Sequence, residues 1–358
     1  MNRLSKVVAS PIRRYFNPRF DALAARLDSL ERAVNRLGTR APDGVTGNMP
    51  GPAGDMTLGQ IARQAALLSR VDVSEHNRVG TPPTFAKLQS QAASAAQCQD
   101  PAYLRWFRLL MGMPEGDLAG LVFNRKTWEW AYIAEAVTQA GLMEPGRSAL
   151  GFGVGTEPLP ALFASRGLHV TATDQGAEGV DHWADTGQLM TGLTGLSRPH
   201  LLGDDELAAR VTTRNVNMND VPDDLGAHDV IWSSCVIEHL GSPERGLDFV
   251  LESCEMLAPG GIAVHTTEIE MTRRDTTADY GNCAVYRLAD LQDFATRLGA
   301  AGLRASFNFT VPMDTPEDRW ISLVGLEGDA APRDLAHLRL ALGDSISTSF
   351  GILIRRPK

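Results

Sequence analysis

Residues 148–174, SALGFGVGTEPLPALFASRGLHVTATD, constrain this chain more than any other stretch. A short apolar strand runs into a glycine turn at Gly151, Gly153 and Gly155. A helix opened by Glu157 and Pro158 follows, and a second strand ends on Asp174. That order is the nucleotide-binding half of a Rossmann-like sheet. Glycines let backbone approach a ligand at the start of the helix, and a carboxylate about 20 residues on can accept both hydroxyls of a ribose. The expected ligand therefore contains adenosine.

The spacing narrows the choice of ligand. A dinucleotide fold shows G-x-G-x-x-G, with the helix start facing a pyrophosphate. Here the place of the last glycine is held by Glu157, whose carboxylate would repel a pyrophosphate. A carboxylate suits a ligand that carries no phosphate and brings an ammonium group, which describes S-adenosylmethionine.

Further on, 211–216 reads as a third strand, followed by Asn217, Met218, Asn219 and Asp220. A fourth strand over 228–233 leads into Ser234-Cys-Val-Ile-Glu-His239-Leu-Gly. A helix from about 243 to 257 ends in Pro259-Gly260-Gly261, and 262–267 makes a fifth strand. In these residues the chain resembles the class I S-adenosylmethionine-dependent methyltransferases, through the E-H-L after strand four and the L-x-P-G-G before strand five. The resemblance covers residues from about 126 to the C-terminus. A narrower likeness, to bacterial methyltransferases associated with polysaccharide biosynthesis, rests on Arg125-Lys-Thr-Trp128-Glu129, on 151–158, and on Trp183 with Thr186-Gly-Gln188. It also rests on Ser233-Ser-Cys, Glu238-His-Leu-Gly241 and His265-Thr-Thr-Glu268.

The resemblance implies a doubly wound α/β fold: a Rossmann-like, mainly parallel seven-stranded sheet whose last strand is antiparallel, with a helical N-terminal extension. It also implies a cofactor site. Gly153 and Gly155 would line the methionine portion, Asp174 would bind the ribose, and Asn217 with Met218 would meet the adenine edge. Phe152, Glu157, Gln175 and Ser233 complete the set. Two departures stand out. Where the wider family has an Asp after strand one this chain has Gly151, and where an Asp commonly follows strand three it has Asn217. An Asn oxygen can still accept from an adenine amino group.

Bulk properties bound the class. A chain of 358 residues, 43% hydrophobic, can bury a full α/β core and an accessory segment. No apolar stretch approaches the roughly 18 residues of a membrane span, so a cytoplasmic enzyme is expected. Cys98, Cys235, Cys254 and Cys283 have no metal-like spacing and read as reduced core residues. A net charge of −9 argues against nucleic acid as a partner.

Four segments follow from composition: 1–37, a basic tail and amphipathic helix; 38–57, a linker; 58–141, a helical cap; and 142–358, the catalytic domain. In residues 1–19, Arg3, Lys6, Arg13, Arg14 and Arg19 interleave with apolar side chains, a pattern open to peripheral membrane contact or to a solvated tail. Phe20, Leu23, Leu27, Leu30, Val34 and Leu37 then recur as a heptad seam. Because the linker is rich in Gly and Pro, the seam favours self-association, a homo-oligomer, over docking on its own domain. In the cap, helices are expected over 58–71, 85–96, 103–111 and 126–141, with Trp128, Trp130 and Tyr132 either forming an aromatic wall or packing in the core. Long, polar insertions at 175–210, 269–287 and 312–344 flank the carboxyl ends of the strands, where such folds build substrate sites. The last two strands are expected at 304–311 and 347–355.

Methyl transfer asks a protein to hold donor and acceptor in line and, for a hydroxyl acceptor, to remove a proton. The candidate bases are His239, ahead of His265 and Glu268. Strand alternation sends His265 and Thr267 to one side of the sheet and Thr266 and Glu268 to the other. Glu238, Glu268 and Glu270 form no convincing metal pair, and no metal is expected. The leading expectation is O-methylation of a sugar or glycan hydroxyl by a small-molecule methyltransferase. A non-sugar acceptor, or a binding protein without turnover, are the alternatives.

Overall fold

The structure, a computed structural model, describes residues 58–72, 81–113, 123–176, 189–280, 283–323 and 336–358. The basic tail, the heptad seam, the linker, and Asp181, His182, Trp183, Asp185, Thr186 and Gln188 lie outside the described residues. The cap holds helix α1 (Leu58–Leu68), a short strand β1 (Ser90–Ala92) and helices α2 (Pro101–Met111) and α3 (Arg125–Gln139). α2 starts where the Asp100 side chain accepts from the Ala102 amide and stops at Gly112 in the left-handed conformation. α3 starts in the same way at Asn124, which caps the Lys126 amide at 2.8 Å.

The expected helix over 85–96 is corrected. Residues 90–92 are extended and paired, and only Ala95–Cys98 form a helical turn. Gln91 and Ala92 pair with Gly351 and Phe350, and Ser90 with Phe307, so ladder bonds on both sides override local helix preference.

After the cap come β2 (Ser148–Phe152), α4 (Leu159–Ser165), β3 (His169–Asp174), α5 (Asp204–Arg210) and β4 (Val211–Asn215). Then follow β5 (His228–Ser234), α6 (Pro243–Ser253), β6 (Leu257–Glu270), a small hairpin of β7 (Ala278–Asp279) and β8 (Ala284–Val285), and α7 (Leu288–Ala300). The remaining strands are β9 (Arg304–Ala305), β10 (Phe307–Asn308), β11 (Ile321–Leu323), β12 (Arg339–Leu342) and β13 (Ser345–Arg355).

The sheet runs β4-β3-β2-β5-β6-β13, with the first five strands parallel and β13 antiparallel to β6. The fold is thus the expected doubly wound α/β sheet. The chain travels outward from β2 to β4 and then returns to lay β5 on the other side of β2. That reversal opens a crevice at the carboxyl ends of β2 and β5, where this architecture binds ligands.

Beyond β13 the single expected strand over 304–311 is replaced by a patchwork. β12 covers Ser345–Thr348, β1 covers residues 350–351, and β9 covers residues 354–355. β10 bends away to pair with β1, and β11 joins β12. Arg339 binds this edge together. Its guanidinium, fully buried, reaches Asp318 at 2.9 Å and also the carbonyls of Ala93 and Pro312 and the Thr348 hydroxyl.

Apolar side chains pack both faces of the sheet. α2, α3 and α4 contribute Phe107, Trp128 and Phe163 to one face, and α6 and α7 contribute Phe249 and Phe294 to the other. Burying each large side chain contributes about 1.5–3 kcal/mol. The aromatic wall reading is corrected by this packing: Trp128 and Tyr132 are fully buried and stacked 5.0 Å apart, and only Trp130 is half-buried. All four cysteines are buried, unpaired thiols.

Candidate cofactor and acceptor site

The glycine turn leaves β2 at Phe152, which is fully buried edge-on against Phe249 at 5.0 Å. Gly153 and Gly155 both take positive φ, +58° and +51°, a region costly for residues with a Cβ. At Gly153 a Cβ would also stand 2.6 Å from Val236 at the end of β5. Thr173 on β3 fixes the turn from the side: its hydroxyl donates to the Gly151 carbonyl and its own carbonyl accepts from the Val154 amide.

Gly151 has a physical reason to be glycine. It pairs with Trp232 across β2 and β5, and a Cβ built on it would lie 2.3 Å from the indole ring. The indole N–H donates to Glu157 at 2.6 Å. Glu157 is only 7% exposed, and burial raises its pKa to about 8, against the pull of the Trp232 bond and of Lys126.

Asp174 closes the far side of the turn. Its carboxylate accepts from the amides of Gln175 and Met190, each at 2.8 Å. Burial holds its pKa above the usual value, and these amides offset part of the rise. A carboxylate has about four acceptor positions, so two amides leave capacity for the hydroxyls of a ribose. Gln175 is exposed beside it. Beyond β4, Asn217 is exposed and its side-chain oxygen accepts from the Asn219 amide, which keeps a second lone pair available. Met218 is buried, and its carbonyl, like the Asn219 side chain, accepts from Arg245.

A dense ionic cluster occupies the carboxyl ends of β5 and β6. Cys235 leaves β5 with φ of +57°, an unusual value for a residue with a side chain. The turn sends the chain into the Ile237–His239 turn that carries Glu238 and His239. From α3, Arg125 pairs with Glu268 at 2.9 Å and Glu129 at 3.1 Å and donates to the Cys235 thiol at 3.1 Å. Burial opposes its charge, but Glu268, Cys235 and Glu129 outweigh burial and hold its pKa above the usual value. Glu129 also receives Lys126, Ser234 and Ser349, and the Lys126 and Arg125 cations, with the Ser349 bond, keep its pKa low despite full burial. Glu268 accepts from Ser347 at 2.5 Å. Glu238 accepts from Thr267 through one oxygen, and its other oxygen is buried with no hydrogen-bond partner among the described residues.

The three candidate bases fall in different surroundings. His239 is half-buried at the end of its turn. His265 is fully buried, its two ring nitrogens bonded to Ser233 at 2.8 Å and Ser253 at 3.3 Å, and burial drives its pKa down to about 3. Ser233 is likewise fully buried and spends its hydroxyl on that ring. His265 and Thr267 therefore face Ser253 and Glu238, whereas Glu268 faces α3.

Donor atoms of Cys235, Glu238 and Glu268 lie within 4.8 Å of one another, a spacing open to a metal ion. The Arg125 guanidinium stands among them, touching Cys235 and Glu268, and supplies the positive charge that such a set requires. Cys235 reads from sequence only as a core thiol, and nothing there singles out Trp232 or His337, whose carbonyl accepts from the Arg125 amide and whose ring burial pushes down to about 4. Trp232 carried no local signal, because its pairing with Gly151 arises only where β2 lies beside β5.

No family model matches the chain, and no curated protein matches it. Among solved structures, a phosphoethanolamine N-methyltransferase from Haemonchus contortus, in complex with phosphomonomethylethanolamine and S-adenosylhomocysteine, is 16% identical, with a TM-score of 0.41 over 64% of this chain and 53% of that one. The CcbJ methyltransferase from Streptomyces caelestis is 15% identical, with a TM-score of 0.34 over 62% of this chain and 88% of that one. The magnesium protoporphyrin IX methyltransferase from Synechocystis PCC 6803, with S-adenosylmethionine bound, is 13% identical, with a TM-score of 0.35 over 72% and 93%. At identities and TM-scores this low the likeness carries no argument.

Proposed function

We propose that the chain is an S-adenosylmethionine-dependent methyltransferase acting on a hydroxyl group of a sugar or glycan. The observation that carries this reading is the convergence of two buried carboxylates, Glu157 and Asp174, on the Gly153–Gly155 turn at the switch point of the sheet. The Asp174 carboxylate, with the Glu157 carboxyl ready to ionise beside a cation, suits a ligand with a ribose at one end and an ammonium at the other better than the phosphates of a dinucleotide.

In this reading Asp174 orients the ribose, the glycines let backbone meet the methionine portion, and Glu157 receives its ammonium. Asn217 and Met218 flank the adenine. When bound, the cofactor supplies a methyl group activated on a sulfonium. The chain's own task is then to hold the acceptor in line and take its proton. His239 fits that task best, because it sits half-buried at the cleft end of β5. His265, enclosed between Ser233 and Ser253, ties β6 to β5 and α6 instead. Glu268 is committed to Arg125 and Ser347. The polar cluster at the ends of β5 and β6 supports a hydroxylated acceptor over a flat aromatic one.

The experiment is transfer of labelled methyl from S-adenosylmethionine to a panel of sugars, nucleotide sugars, glycan fragments, amines and phenols. Transfer to sugar hydroxyls is expected. Transfer confined to amines or phenols overturns the acceptor class, and cofactor binding with no transfer to any member points to a binding protein.

A further inference from the structure

Gly151 and Trp232 are register partners on the two strands that border the crevice. The missing side chain of Gly151 is what admits the indole, since a Cβ there would meet the ring at 2.3 Å and Val154 at 2.6 Å. On its other side the ring meets Phe163 edge-on, with centroids 5.0 Å apart and planes at 81°. With 0% exposure and neighbours on both sides, the indole has one place to aim its N–H. It aims at Glu157, at 2.6 Å, and among the described residues this is the hydrogen bond the Glu157 side chain receives.

We propose that Trp232 is a positioning residue of the cofactor site, holding the Glu157 carboxyl toward the ligand's ammonium, and that ligand entry expels the Glu157 proton to solvent. The inference rests on the reading of this site as an S-adenosylmethionine pocket. In the step itself the Glu157 O–H bond breaks, the carboxylate keeps the electron pair, and the proton leaves to water as the ammonium takes its place. No other bond changes.

The charges around Glu157 come from several elements. Lys126 on α3 and Arg198, after the Leu193–Leu196 turn, attract its carboxylate, whereas Glu129 on α3 and Asp174 at the end of β3 repel it. Burial outweighs the attraction and raises the group to about 8, so at neutral pH the ligand-free acid is mostly protonated. The indole bond favours the ionised form, which an N–H donor stabilises more than the neutral acid. Removing that donor while keeping an aromatic ring must therefore raise the Glu157 pKa further.

The test is calorimetric titration of S-adenosylmethionine between about pH 6.5 and 9, in pairs of buffers with different ionisation heats, for the wild type, Trp232→Phe and Glu157→Gln. The free ligand's ammonium titrates identically in all three, so differences between profiles arise in the bound complex. The wild type should release a proton on binding at neutral pH. Trp232→Phe should bind about tenfold more weakly at neutral pH and move the rising part of its profile up by about one pH unit, the scale of a charge-assisted hydrogen bond. Glu157→Gln keeps an acceptor for the indole but has no carboxyl proton to lose, and should release fewer protons than the wild type. It carries the test alone if Trp232→Phe fails to fold. Equal proton release by wild type and Glu157→Gln, or superimposed profiles for wild type and Trp232→Phe, overturn the inference while leaving the cofactor assignment standing. A wild type that binds no S-adenosylmethionine at any pH overturns both.

Discussion

His239 stands in the turn after β5 and His265 within the neighbouring β6, and their surroundings divide the work between them. A base that must take a proton near neutral pH needs an accessible ring, and His265, bonded through both nitrogens and pushed down to about 3, lacks one. His239→Gln is accordingly expected to lower turnover by a factor of about 100 to 10,000, the usual contribution of a general base, with S-adenosylmethionine affinity unchanged. Single-turnover kinetics beside calorimetry checks this, and an active Gln variant would assign the proton to water or another group. At this scale the sequence made the glycines, Glu157 and Asp174 legible, because each follows a local pattern. The pairing of Gly151 with Trp232 was not, because it depends on β2 lying beside β5, strands far apart in the chain. The Arg125–Glu268 pair was hidden for the same reason: α3 and β6 meet only in the folded molecule.

Among the elements, β2 through β6 were readable from apolar runs bounded by turn residues, and the outer edge beyond β13 was not. A three-residue strand such as β1 has no periodicity to detect, and its extended form comes from partners on β13 and β10. Arg339 is the residue that should reveal how firmly this edge is held. It and Asp318 are buried together, 0% and 1% exposed, and Asp318 also accepts from the Ala95 amide at 2.9 Å. Arg339→Met leaves an uncompensated buried carboxylate, so a loss of about 3–5 kcal/mol is expected in urea unfolding. A loss under about 1 kcal/mol, the size of an exposed ion pair, would mean the edge does not depend on this clamp.

For the whole molecule, the sheet order and its switch point place the glycine turn, the Asp174 carboxylate and the ionic cluster at one end of the strands. No helix among the described residues is long and apolar enough to cross a membrane. The heptad seam lies outside the described residues, so its role is a proposal from sequence alone: deleting residues 1–45 should lower the oligomeric state seen in sedimentation and leave cofactor affinity intact. An unchanged number of chains per assembly would place any interface on the remaining domain. The central claim, an S-adenosylmethionine site built on the glycine turn and Asp174, is tested most directly by calorimetry on the wild type and Asp174→Ala, with melting temperatures recorded beside it. The wild type should bind S-adenosylmethionine, and a folded Asp174→Ala should bind it about two orders of magnitude more weakly, since hydrogen bonds to a charged acceptor are worth about 1.5 to 3 kcal/mol each. Equal affinity in the two proteins would contradict the account.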